Sequence, residues 1–189
     1  MTTTRIFLLV CTFFTIVSSA QDEASVEKSV FGIHTGLVGV WVNAEFKLAS
    51  EFALRTEIGA ELGTVTSEIN DDIAFLLIPV LSVEPRWYYN LDKRARKGKR
   101  TAKNSANAFS VNLRYSPNQY FTTSDYNIDI PHQLAIVPSW GIRRVYGKHF
   151  TFETAIGVGP VVGFGEDSAN VARTQDVFVD LRVRIGYTF

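Results

Sequence analysis

The side chains best suited to catalysis are sparse in this chain of 189 residues. Its three histidines, His34, His132 and His149, are scattered, and its only cysteine is Cys11. A zinc site needs three or four His, Cys or carboxylate ligands brought together, usually as closely spaced pairs, and no such spacing occurs. Nucleophilic catalysis needs a hydroxyl beside a base. Pro131-His132-Gln133 has no serine neighbour at its own parity, Ser139 lies on a different stretch, and there is no Gly-x-Ser-x-Gly. The run Gly157-Val158-Gly159-Pro160-Val161-Val162-Gly163 lacks the lysine that follows the glycines of a phosphate loop. It falls inside an alternating stretch, where small residues leave room for large neighbours. The expectation is no catalytic residue, no metal and no cofactor.

Paired charge, by contrast, is dense. Lys and Arg total 19 and Asp and Glu total 19, a balance that argues against nucleic-acid binding by bulk charge. Many of these charges recur at every second residue of otherwise apolar segments. The acids are Glu45, Glu57, Glu61, Glu84, Glu153 and Asp180, and the arginines are Arg55, Arg86, Arg114, Arg143, Arg182 and Arg184, with Lys47 at the same parity. The chemistry open to such a set is mutual neutralisation, because the planar guanidinium fork matches a carboxylate in two parallel hydrogen bonds.

The elements that must position these charges are strands. Apolar residues alternate with polar ones over 31–37, 40–48, 52–63, 81–90, 108–116, 133–146, 150–163 and 177–189, and the stretch 74–80 ahead of the fourth is apolar throughout; a period of two marks a strand with one apolar face. The most regular is the last, in which Val177, Val179, Leu181, Val183, Ile185, Tyr187 and Phe189 share one side. Polar loops are expected at 68–72, 91–105, 117–131 and 165–176, and tight turns near Leu37, Ala49 and Gly147. Pro79 and Pro85 fall within a strand, where each removes a ladder donor, so bulges are expected there. No amphipathic helix is expected. Arg144 lies on the apolar parity near a strand end, where it can snorkel.

Residues 1–20 read as a secretory signal peptide, with Arg5 ahead of an apolar core from Ile6 to Val17 and Ser18-Ser19-Ala20 before the cut. That core is too short to span a bilayer as a helix. Cleavage removes Cys11 and leaves a mature domain, 21–189, near −1 in charge with no thiol chemistry. Aromatics make up 13%, and Trp87, Tyr89, Tyr146, Phe150, Tyr187 and Phe189 gather near strand ends, as an interfacial belt requires.

The ending Gly186-Tyr187-Thr188-Phe189 resembles the terminal strand of gram-negative outer-membrane β-barrels, where Gly followed by Tyr-x-Phe is read by the barrel assembly machinery. The stretch from Pro85 to Leu91, the Lys/Arg-rich turn after it and Asn107 to Val111 look like part of a group of small gram-negative outer-membrane proteins. Over most of its mature length the chain is similar to their outer-membrane β-barrel domain. The resemblance implies an eight-stranded antiparallel up-and-down transmembrane β-barrel in the outer membrane. It implies Gly186, Tyr187 and Phe189 as the assembly signal. It names a fold and implies no activity.

With an even strand count both ends of the chain lie on one side of the membrane, expected to be periplasmic with the turns at Ala49, Leu91 and Gly147. The Arg/Glu rows then fill a lumen just wide enough for side chains, leaving little or no pore. The function expected is a non-enzymatic outer-membrane barrel, structural or surface-interacting, in contact with outer-membrane lipid. Loop 117–131, which mixes aromatic and hydrogen-bonding side chains, is the candidate surface for a ligand. The alternatives are a periplasmic lipocalin-like binding barrel, an outer-membrane lipid-modifying enzyme and a narrow, porin-like pore. The basic run from Lys93 to Lys103 reads as a solvated turn, unusually long for a periplasmic one.

Overall fold

The computed structural model describes residues 24–66, 73–122, 130–164 and 176–189. The expected signal peptide, the loop expected at 68–72 and parts of those expected at 117–131 and 165–176 lie outside them. The strands are β1 (Ser29–Gly36), β2 (Gly39–Lys47), β3 (Phe52–Thr66), β4 (Ile73–Trp87), β5 (Asn107–Ser116), β6 (Phe121–Thr122), β7 (His132–Tyr146), β8 (Phe150–Phe164) and β9 (Asp176–Thr188). They form one antiparallel ring, β3-β2-β1-β9-β8-β7-β5-β4, closed by the pairing of β4 with β3. The short β6 takes up the pairing with β4 beyond the end of β5, within a segment expected to be wholly loop. The architecture is the expected closed eight-stranded antiparallel barrel.

Alternation in sequence becomes inside and outside in space. On β9, Val179, Leu181, Val183, Ile185 and Tyr187 face outward, while Asp180, Arg182, Arg184 and Thr188 are buried in the lumen. The other strands obey the same division, so the largest buried side chains include Arg55, Arg143, Glu45 and Glu84. Close approach demands glycine at several positions, Gly186 and Gly59 among them. A Cβ at Gly186 would meet the ring of His34 and the carbonyl of Ile33, and one at Gly59 would meet the ring of Trp41.

Contrary to expectation, neither proline bulges β4 itself. β4 pairs β3 without a break from Phe52↔Trp87 to Thr66↔Ile73, through both Pro79 and Pro85. Against β5 the register is the same on both sides of Pro85 and the ladder skips the pairs between Val83↔Leu113 and Arg86↔Ser110. A proline lacks only its own N–H, and here the sheet omits hydrogen bonds instead of inserting a residue. Beyond Pro79 the adjustment falls on the neighbour: β6 resumes on β4 shifted by two residues relative to β5.

One end of the barrel carries a lid. The expected solvated turn contains a short helix, α1 (Leu91–Arg96), and a 3-10 turn over Ala102–Asn104, so a helix is present where none was expected. Gly98, at φ +63°, takes the left-handed conformation that turns the chain back after α1. Val26, Ala53, Tyr88, Leu91, Ala106 and Ala108 form a small apolar cluster that seats this lid and the segment before β1 on the barrel. Burying Leu91 completely contributes about 1.5–3 kcal/mol.

Candidate functional site

The lumen holds all six arginines and all six carboxylates that the alternation aligned. Nearest the lid, Glu45 accepts from Arg143 Nη1 at 3.1 Å, from the Tyr88 hydroxyl at 2.8 Å and from Asn104 Nδ2. Burial pushes the Tyr88 phenol pKa up, and the Glu45 carboxylate acts in the same direction, so the hydroxyl keeps its proton and remains a donor. One layer in, Arg55 Nη1 reaches both oxygens of Glu153, at 2.8 and 3.0 Å, and its Nη2 donates to Glu57 at 2.8 Å. Arg86 bridges Glu84 and Glu153, each at 2.7 Å, and stands 4.0 Å from Glu45.

Further from the lid, Arg182 grips Glu84 with two 3.0 Å hydrogen bonds and stands 2.7 Å from Asp180. Arg184 donates to Glu57 at 2.8 Å and lies 3.7 Å over the ring of Trp41. These ten residues, five arginines and five carboxylates, form one connected network. Arg114 and Glu61 form a separate pair at 2.5 Å, with Trp41 Nε1 donating to the same carboxylate at 3.1 Å. Lys47, at the end of β2, donates to Ser25 outside the network.

Burying charge costs several kcal/mol per ion, which mutual attraction offsets only when partners and hydrogen bonds are complete. That condition explains why Glu57, Glu84 and Glu153 each serve at least two arginines. It also explains why Ser110 supplies a further hydrogen bond to Glu84 at 2.7 Å. The space left at the lid end is a void of about 10 Å³ between Glu84, Arg86, Tyr88 and Arg143, of the order of one water. Toward the other end a cavity of about 170 Å³ opens beside Trp41, Arg114 and Phe178.

No family model, curated protein or solved structure matches this chain. Function has to be read from the barrel itself.

The remaining candidate residues sit apart from the network. Gly186 backs onto His34. Tyr187 faces outward, stacked on His149 at 4.5 Å and edge-on to Phe189 at 5.1 Å. His132 packs on both Tyr115 and Phe164, which also meet each other, and its Nδ1 lies 2.8 Å from the Tyr115 hydroxyl. Ser139, on the same strand, is buried on the lumen face, so the two are not brought together. Among the described residues no three His, Cys, Asp or Glu side chains group as a metal site. Much of loop 117–131 lies outside the described residues. Arg144 is on the outer parity and donates to the Arg143 carbonyl and to Asn107.

Sequence reasoning missed the lid's share of this site. Asn104 is buried, links Glu45 to the Glu27 amide and has φ +58°. Asparagine tolerates that left-handed conformation better than most residues, but an asparagine in a basic loop gives no hint of the carboxylate it reaches. His34 and Asn43, 2.6 Å apart and buried, carried a signal only in their lumen parity.

Proposed function

We propose that this protein is a non-enzymatic integral outer-membrane β-barrel with a structural or surface-interaction role, its lumen locked by ion pairs. One observation carries the reading: the barrel is apolar outside and ionic inside. Phe31, Ile33, Ile58, Leu81, Ile136, Ile156 and Leu181 all face outward and are exposed, far more contiguous apolar surface than a soluble monomer keeps. Hydrocarbon is the solvent that suits such a surface, and a closed ring is the strand architecture that crosses a bilayer.

Aromatic side chains ring the lid end. Phe52 stacks on Trp87, Trp87 and Tyr89 pack on Phe109, Tyr146 on Phe150, and Tyr187 on Phe189. This is the girdle expected at a bilayer interface. Both described ends of the chain lie at that rim, so it is assigned to the periplasm, with Gly186, Tyr187 and Phe189 as the assembly signal. The signal peptide at 1–20 supplies the export route. A lipocalin-like carrier is disfavoured because its lumen would hold a ligand where Arg55, Arg86 and Glu153 are packed.

Cell fractionation combined with heat-modifiable gel mobility tests the reading. The expected result is a band in the outer-membrane fraction that migrates faster before boiling than after. A mature chain soluble without detergent would sink it.

A further inference from the structure

Among the described residues, the barrel wall is incomplete beside the β1–β2 turn. β1 pairs β9 only from Gly32↔Thr188 to Gly36↔Arg184, and the Leu37-Val38 turn then reverses the chain. β9 continues to Asp176 along β8, and β3 continues to Thr66 along β4. Residues 62–66 of β3 carry the wall about 17 Å past the turn. β3 and β9 are separated there by the two missing strands, or about 14 Å of sheet. Exposure follows this geometry: Ile185, paired with Thr35 of β1, is 47% exposed, and Leu181, beyond the last β1 pairing, is 71% exposed.

The cavity of about 170 Å³ lies at this notch and wraps the edge of β9 that β1 leaves uncovered. Every residue from Phe178 to Arg184 lines it, so both faces of the strand contribute. Val179, Leu181 and Val183 belong to the outer apolar surface, and they continue across to Leu37 and Val38 on the turn. Asp180, Arg182 and Arg184 belong to the lumen, with Arg114 and Glu61 beside them. An apolar slope thus runs from the outer surface directly into a charged chamber.

The chamber has a sign. Around the cavity stand three arginines, Arg114, Arg182 and Arg184, against two carboxylates, Glu61 and Asp180. Below it stand Arg55, Arg86 and Arg143 against Glu45, Glu57, Glu84 and Glu153. The network is neutral as a whole but carries its positive excess at the notch.

We propose that the notch is a side entrance that seats a single-chain amphiphile with an anionic head, a carboxylate or a phosphate. The chain lies on Val179, Leu181, Val183 and Leu37, and the head meets Arg114 and its neighbours. This deepens the surface-interaction reading and rests on it for the source of the ligand, the surrounding lipid.

Trp41 is the natural reporter, because it lines the cavity and is only 4% exposed. With Trp87→Phe and Trp140→Phe it becomes the sole tryptophan. The refolded protein in nonionic detergent is titrated with a twelve-carbon fatty acid brominated at mid-chain. The expected result is saturable quenching of Trp41, weakened about tenfold by Arg114→Gln and tightened several-fold by Glu61→Gln. Heat-modifiable mobility checks that each variant is folded. Absent quenching, equal quenching by a brominated alkyl maltoside of the same length, or weakening by both substitutions would each overturn the proposal. Quenching of Trp41 in a chain that fractionates as soluble would sink the membrane reading alone. A membrane-resident chain with unquenched Trp41 would sink the side entrance alone.

Discussion

The two ends of this barrel are built from the same alternation of Arg, Glu and apolar residues, yet they are physically different places. At the lid end Arg55, Glu45 and Glu153 are buried, and the leftover volume is about 10 Å³. At the notch end the Arg114–Glu61 pair keeps 16% and 18% of its side-chain surface, beside about 170 Å³ of space. The alternation decides which side a residue faces. How deeply it is buried depends on whether its neighbouring strands continue and whether a loop folds across the mouth. Identical ion pairs should therefore differ in worth along one axis: a removed partner is severe where water cannot enter and mild where it can.

The largest expected effect is at the centre. Glu153→Ala leaves Arg55 and Arg86 facing each other without their shared carboxylate, and should cost about 3–5 kcal/mol, read as a lower urea midpoint in micelles. Tyr88→Phe removes one hydrogen bond from the buried Glu45 and should cost about 1.5–3 kcal/mol in the same assay. Gly186→Ala drives a methyl group against the His34 ring and the Ile33 carbonyl, for about 1–3 kcal/mol. His34→Ala in that background should recover part of the loss, and no recovery would mean that the backbone contact dominates. Glu61→Gln at the notch should cost about 1 kcal/mol or less, and a loss as large as that of Glu153→Ala would erase the contrast between the ends. Smallest of all, Arg96→Ala breaks an exposed pair with Asp92 on α1, and its midpoint should stay within about 0.5 kcal/mol of the parent.

Strand parity was legible in the sequence because it has a period, and a period survives without knowledge of neighbours. The placement of Arg55 opposite Glu153 depends on it, although the two lie 98 residues apart. The lid was illegible for the opposite reason. Residues 91–106 have no repeat, and what holds them is the barrel rim they happen to cover. Asn104 is read as a loop residue until Glu45 and Glu27 are in place on either side of it. The prolines misled in a third way. Pro85 lacks an N–H, but a bulge is only one response to that loss, and the β4–β5 ladder drops pairs at constant register instead. The turn at Leu37 was visible. The notch above it was not, because a notch is a difference in length between β9 and a strand far away in the chain.

The lid is also a clasp. Lys103 holds Glu27, just ahead of β1, through its backbone N–H at 2.6 Å, and it holds the main-chain oxygen of Phe189, just past β9, through Nζ at 2.6 Å. β1 and β9 form the seam where the first and last strands meet, over only five paired positions. A single lysine, brought from the middle of the sequence, thus staples both sides of that seam. Both grips are made at once only when the ring has joined, so protection of 102–106 from hydrogen exchange should be complete only then and report the end of assembly.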